Sequence, residues 1–137
     1  MKKDVVILIA EDDIGHFLLA KRQLRSAGVS SKIIHFPDGQ LVSDFLKDVC
    51  IKDKETSYFL LLDIRMPKID GIEILEYVKK HPDLKDIPVV IVTTSDNPLN
   101  VLRCRQLKCD GYLVKPIDDT FVDYLNDVLE KTFSMAL

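Results

Sequence analysis

The sequence predicts an α/β domain with one parallel sheet and helices on both faces. Three observations predict it. Short apolar runs alternate strictly with segments of helical periodicity. The strongest runs are continuous rather than alternating in polarity, as strands covered on both faces require. Acidic, hydroxyl and basic residues follow four of the runs, where a doubly wound sheet gathers them on one rim.

The elements follow in order. Val5–Ala10 is a continuous apolar run, stopped by Glu11, Asp12 and Asp13. Ile14–Ala27 carries Ile14, Phe17, Leu18, Lys21 and Leu24 at helical spacing, and Gly28 stands where a helix ends. Lys32–Phe36 is a weaker strand, suited to the sheet edge. Leu41, Val42, Phe45, Leu46 and Val49 form an amphipathic helical stripe. Ile51–Ser57 is polar and charged, hence a surface loop. Tyr58–Leu62 is the most apolar stretch and ends at Asp63. Ile72, Leu75 and Val78 predict a helix over Gly71–Lys80. Pro88 opens a strand over Val89–Thr93. Pro98–Leu107 is a helix with a poor apolar stripe. Gly111–Val114 is a strand ending at Lys115-Pro116. Phe121, Val122, Leu125, Val128 and Leu129 mark the last helix, and Thr132–Leu137 reads as a frayed tail.

The totals fit one domain of 137 residues. Apolar residues make up 47% and charged residues 30%, and the net charge of −3 gives no general pull toward nucleic acid or anionic membrane. The first apolar run is too short for a membrane span and lacks a signal-peptide pattern, so the chain is expected to stay in the cytoplasm. Cys50, Cys104 and Cys109 form no C-x-x-C pair and are odd in number, so they indicate neither a disulfide framework nor zinc. The histidines have no mutual metal-ligand spacing.

Glu11-Asp12-Asp13, Asp63, Thr93-Thr94 and Lys115-Pro116 end the first, third, fourth and fifth strands. Each alone has an ordinary reading: helix caps for the acids, a strand residue for Thr93, a turn for Lys115-Pro116. Gathered on one rim, the carboxylates repel, and a hard cation relieves that repulsion. Oxygen ligands few in number suit Mg²⁺ with waters retained. A carboxylate nucleophile beside Mg²⁺ is what an aspartyl-phosphate site needs, because phosphoryl transfer asks chiefly for positioning and charge neutralisation. Asp63 is then the nucleophile, with Lys115 and Thr93 serving the phosphoryl oxygens.

These segments resemble the receiver domain of two-component response regulators over nearly the whole chain. The resemblance rests on Ile7-Leu8-Ile9-Ala10-Glu11-Asp12-Asp13 and on Leu61-Leu62-Asp63-Ile64-Arg65-Met66-Pro67-Lys68-Ile69-Asp70-Gly71. Pro88-Val89-Val90-Ile91-Val92-Thr93-Thr94 and Gly111-Tyr112-Leu113-Val114-Lys115-Pro116 complete it. It implies a flavodoxin-like, doubly wound five-stranded sheet of order 2-1-3-4-5 in three α/β/α layers. It implies a single receiver domain over 1–137, with a core at about 4–131. Glu11 and Asp12 resemble the acidic pair around Mg²⁺, Asp63 the phosphoacceptor, and the Arg65 backbone carbonyl a further metal ligand. Thr93 and Lys115 resemble the phosphate-sensing pair, with a cis Lys115-Pro116 peptide, and Tyr112 the aromatic switch. Arg65 and Ser95 match positions that flank the path of the attacking water.

The implied protein is a stand-alone phosphorelay switch, not an enzyme acting on a separate substrate. Its expected partners are a sensor histidine kinase or phosphotransfer protein, and a downstream target or second copy on the fourth helix, fifth strand and fifth helix. No nucleic acid or membrane partner is expected. Two departures stand out: Thr94 is larger than usual at its position, and the 51–57 loop is longer. A dehalogenase-type phosphatase would need an acid two residues after the nucleophile, where this chain has Arg65. A degenerate receiver would lack part of the site.

Overall fold

The computed structural model describes residues 5–133. Five strands form one parallel sheet: β1 (Val5–Ala10), β2 (Lys32–Phe36), β3 (Ser57–Leu62), β4 (Val89–Thr93) and β5 (Gly111–Val114). Their order is β2-β1-β3-β4-β5. The helices are α1 (Ile14–Ser26), α2 (Gly39–Phe45), α3 (Gly71–Lys80), α4 (Pro98–Gln106) and α5 (Phe121–Phe133). This is the flavodoxin-like arrangement, with the reversal of strand order between β1 and β3. The weak β2 run occupies an edge, as its polarity predicts.

Side-chain alternation divides the core into two layers. Leu8, Leu60, Leu62 and Ile91 face Val42, Leu46, Leu75 and Cys104 from the α2, α3 and α4 side. Ile7, Ile9, Phe59 and Val90 face Phe17, Leu24, Phe121 and Leu125 from α1 and α5. The three inner strands are therefore apolar apart from Ser57 at the start of β3 and Thr93 at the end of β4, since both faces are covered.

Two helical stripes differ from expectation. In α1 the buried residues are Phe17, Ala20 and Leu24, whereas Ile14 and Leu18 are more than half exposed. The buried stripe keeps Phe17 and Leu24 but passes through Ala20, one position before the expected Lys21, which is exposed. After α2, residues Leu46–Cys50 form a π-helical turn, with Ile51 N donating to Leu46 O at 3.1 Å. The widened turn carries Cys50 inward and leaves Val49 exposed, and Leu41 of α2 is exposed as well. The following loop ends one residue early, at Thr56. Asp53 organises it by accepting from Glu55 N (3.0 Å), Thr56 N (3.1 Å) and Tyr58 Oη (2.8 Å). Hydrogen bonds from Thr56 and Tyr58 hold the Asp53 carboxyl well below the usual carboxylate range. At the other end of the chain, α5 continues through Phe133, two residues into the stretch read as a tail, and 134–137 lie outside the described residues.

α1 and α4 end in the same way. Gly28 has φ +84°, Gly28 N donates to Arg25 O, and Val29 N donates to Leu24 O. Lys108 has φ 65°, Lys108 N donates to Arg105 O, and Cys109 N donates to Cys104 O. These paired bonds are a Schellman motif, which satisfies the last carbonyls of a helix. No helix among the described residues is long and apolar enough to cross a membrane.

Candidate functional site

β1 ends at Ala10 because three acids follow it. The third of them, Asp13, caps α1, accepting from His16 N at 3.0 Å. The cap reading thus applies to Asp13, and Glu11 and Asp12 remain for the rim. Asp63 follows β3 and is fixed by its backbone N, which donates to Ala10 O at 3.0 Å. Glu11, Asp12 and Asp63 each offer a carboxylate oxygen within 4.8 Å of the others.

Burial differs sharply inside this trio. Glu11 and Asp63 are buried, and Asp12 is exposed. Burial, with Asp63 nearby, pushes the Glu11 carboxyl up to about 7, against the lowering effect of the Lys115 hydrogen bond. Asp63 Oδ1 is buried and accepts no hydrogen bond among the described residues. A buried carboxylate oxygen without a partner is costly unless a cation or a substrate atom meets it. The donor set is all oxygen, so these residues fit a hard divalent cation. Asp12, Arg65 and Asp70 line an open cleft of about 430 Å³ beside it.

α3 starts close beneath Asp63. A Cβ at Gly71 would lie 2.1 Å from the Asp63 carbonyl oxygen, and Gly71 N donates to Ile64 O at 2.7 Å. Asp70 caps the helix, accepting from Glu73 N at 3.0 Å. Glycine is therefore required where α3 passes the Asp63 loop.

Lys115 follows β5, its backbone N donating to Thr93 O at 2.7 Å, and the Lys115-Pro116 peptide is cis. Lys115 Nζ donates to Asp63 Oδ2 at 3.1 Å and makes its closest contact with Glu11 Oε1. The ammonium thus bridges both buried acids. Thr93 is fully buried, and its Oγ1 accepts from Ser95 N at 3.3 Å. Tyr112 is half-buried, and its hydroxyl donates to Ser95 O at 2.8 Å. Ser95 is itself buried, its Oγ accepting from Asn100 Nδ2 at 2.8 Å. It braces the strand end rather than standing free at the rim, whereas Arg65 is exposed. Thr94 is exposed and lines a cavity of about 240 Å³ behind Lys115, together with Leu19, Ile117 and Phe121.

His16 was not singled out by spacing, yet its Nδ1 lies 3.0 Å from Lys115 Nζ. The signal that locates it is the Asp13 cap, which places the third residue onward over the rim.

A five-stranded α/β/α sheet with clustered acids, a buried hydroxyl and a lysine at its carboxyl edge defines a signalling module of the two-component type. The chain belongs to the response regulator receiver domain family, whose model matches residues 7–134. It is 33% identical over 112 residues to the probable methanogenesis regulatory protein FilR2 of Methanothrix harundinacea, covering 82% of this chain and 72% of that one. It is 35% identical over 111 residues to response regulator Rcp1 of Synechocystis, covering 80% and 76%. Among solved structures, a response regulator receiver domain from Rhodospirillum rubrum superposes with a TM-score of 0.75 at 32% identity, covering 94% of this chain and 92% of that one. The Mn²⁺-bound form of Rcp1 gives 0.75 at 30% identity, covering 96% and 97%. Receiver domains are phosphoacceptor switches that interact with histidine kinases or phosphotransfer partners.

Proposed function

We propose that this chain is a response regulator receiver that takes a phosphoryl group on Asp63 from a sensor histidine kinase or phosphotransfer protein. The observation that carries this reading is the buried, unpartnered Asp63 Oδ1 beside an Oδ2 already held by Lys115. One oxygen is oriented by the ammonium and the other is free to react. Asp63 Oδ1 attacks phosphorus, the bond from phosphorus to the donor atom breaks, and the donor leaves with that electron pair.

Asp12 and Asp63, with Glu11 and the Arg65 backbone carbonyl, would hold Mg²⁺. When bound, Mg²⁺ supplies neutralisation of the phosphoryl charge. The chain's own residues do the rest. Lys115 offers its ammonium to the phosphoryl oxygens in a charge-assisted hydrogen bond. Thr93 offers its hydroxyl to one of them. That draws Thr93 away from Ser95, and Tyr112 loses the support of its present acceptor, Ser95 O. The resulting shift acts on the α4, β5 and α5 face, which would meet a downstream protein or a second copy. Leu99 and Leu102 of α4 and Val114 of β5 are exposed there. Phosphorylation acts as a population shift between two forms. A cytoplasmic site of action belongs to the same reading.

The test is incubation of the purified chain with acetyl phosphate and Mg²⁺. Acid-labile label that vanishes in Asp63→Asn supports the reading. Undiminished labelling of Asp63→Asn, or no Mg²⁺ dependence, overturns it.

A further inference from the structure

The two Schellman motifs differ in the residues they bring together. In this motif the residue after the left-handed position meets the one at the start of the last turn in an apolar contact. At the end of α1 that pair is Val29 and Leu24, both buried. At the end of α4 it is Cys109 and Cys104. Cys104 is fully buried on α4, Cys109 is half-buried just before β5, and both join the core layer that also contains Tyr112. Burial raises the Cys104 thiol with Cys109 adding to the effect, and burial raises the Tyr112 hydroxyl with both thiols adding to it.

We propose that Cys104 and Cys109 form a reversible intramolecular disulfide that locks the C-terminal end of α4 to the start of β5. The backbone supplies the pairing: the Cys109 N to Cys104 O bond, 3.1 Å, holds the two residues side by side although four others separate them. The bridge then asks the two side chains to rotate into disulfide geometry across this backbone pairing. The oxidant is a low-molecular-weight disulfide such as oxidised glutathione. The half-exposed Cys109 reacts first as thiolate, its sulfur bonding one glutathione sulfur while the other leaves as thiolate. Cys104, having lost its proton to solvent, then attacks the Cys109 sulfur and expels the second glutathione thiolate. The protein thiols lose two electrons, and one oxidised glutathione becomes two reduced ones. Burial holds both thiols above their ordinary range, so exchange is slow at neutral pH and the site answers the sustained redox poise of its surroundings.

The consequence rests on the proposed switch. The bridge ties together α4 and the residues that immediately precede Tyr112, so it would hold the face in its present arrangement and blunt the response to phosphorylation. Cys50, buried at the end of the π-helical turn that follows α2, takes no part.

The test equilibrates the full chain in glutathione buffers of graded oxidised-to-reduced ratio, quenches with acid, alkylates free thiols and maps peptides by mass. The expected result is loss of both Cys104 and Cys109 to alkylation as one linked peptide, with Cys50 still free. Cys109→Ser should abolish the link and Cys50→Ser should leave it. Retained alkylation of both thiols in the most oxidising buffer, a lasting glutathione adduct on Cys109, or links to Cys50 or between chains would each overturn the bridge. The second arm compares amide exchange over α4 and β5 before and after acetyl phosphate. The oxidised chain should be labelled but show loss of the exchange change seen when reduced. An equal change in both forms refutes the lock. Absence of label in both forms instead refutes the phosphoacceptor reading and leaves the disulfide result standing.

Discussion

Lys115 bridges Glu11 and Asp63, donating to Asp63 Oδ2 at 3.1 Å and making its closest contact with Glu11 Oε1. Two buried acids that would otherwise repel are thereby held at one point on the rim. On the proposed reading the ammonium is in place for a phosphoryl group on Asp63, and the bridge to Glu11 is what such a group would compete with. A cation that exchanges partners can report chemistry at one of them.

Lys115→Ala should still accept label, but more slowly. Loss of one charge-assisted hydrogen bond of roughly 1.5–3 kcal/mol corresponds to about tenfold to a hundredfold in rate. The label should also produce little change in the environment of Tyr112. Phosphodonor kinetics, with tyrosine fluorescence or NMR as the conformational readout, measure both. A full conformational response in the variant contradicts the coupling.

Asp12 and Glu11 should differ in their effect on Mg²⁺. Asp12 is exposed at the rim, whereas Glu11 is committed to Lys115. Titration calorimetry should show a larger loss of Mg²⁺ affinity for Asp12→Ala than for Glu11→Gln. The reverse order would make Glu11 the direct ligand.

Gly71→Ala should damage site and stability together. The added Cβ would lie 2.1 Å from the Asp63 carbonyl oxygen, so α3 or the Asp63 loop must retreat. Overpacking of this kind costs about 1–3 kcal/mol. Denaturant melts should show that loss, and labelling of Asp63 should slow. Wild-type stability in the variant would mean the loop yields freely.

Asp53 should make the fold sensitive to acid. Its carboxyl lies below the usual range in the folded chain, so its stabilising effect is present above the ordinary carboxylate value. That effect is lost as pH falls through the folded value. Asp53→Asn should therefore lower the denaturant midpoint at neutral pH, and the gap to wild type should narrow by about pH 3. A gap that is constant across this range would show that the carboxyl charge plays no part.

Much of this was legible in the chain. Continuous apolar runs such as Tyr58–Leu62 gave their strands because both faces of that strand are covered, and β2 was placed at an edge by its polarity. The acids, hydroxyl and lysine at strand ends pointed to one rim because parallel strands must end there together. Stripe positions were less secure. Ile14, Leu18, Leu41 and Val49 fit a helical period but are exposed, because the sheet decides which part of a wide apolar arc is covered.

The sequence by itself determined the element types, their alternation and the residues available at the carboxyl edge, since these follow from local periodicity and caps. The tertiary structure decided who meets whom. Glu11 and Lys115 lie 104 positions apart, and Lys115 and His16 lie 99 apart. Cys104 and Cys109 could be read only as unpaired thiols until the α4 terminus was seen to fold them together. Such encounters depend on strand order, helix placement and turn geometry, which no local period encodes.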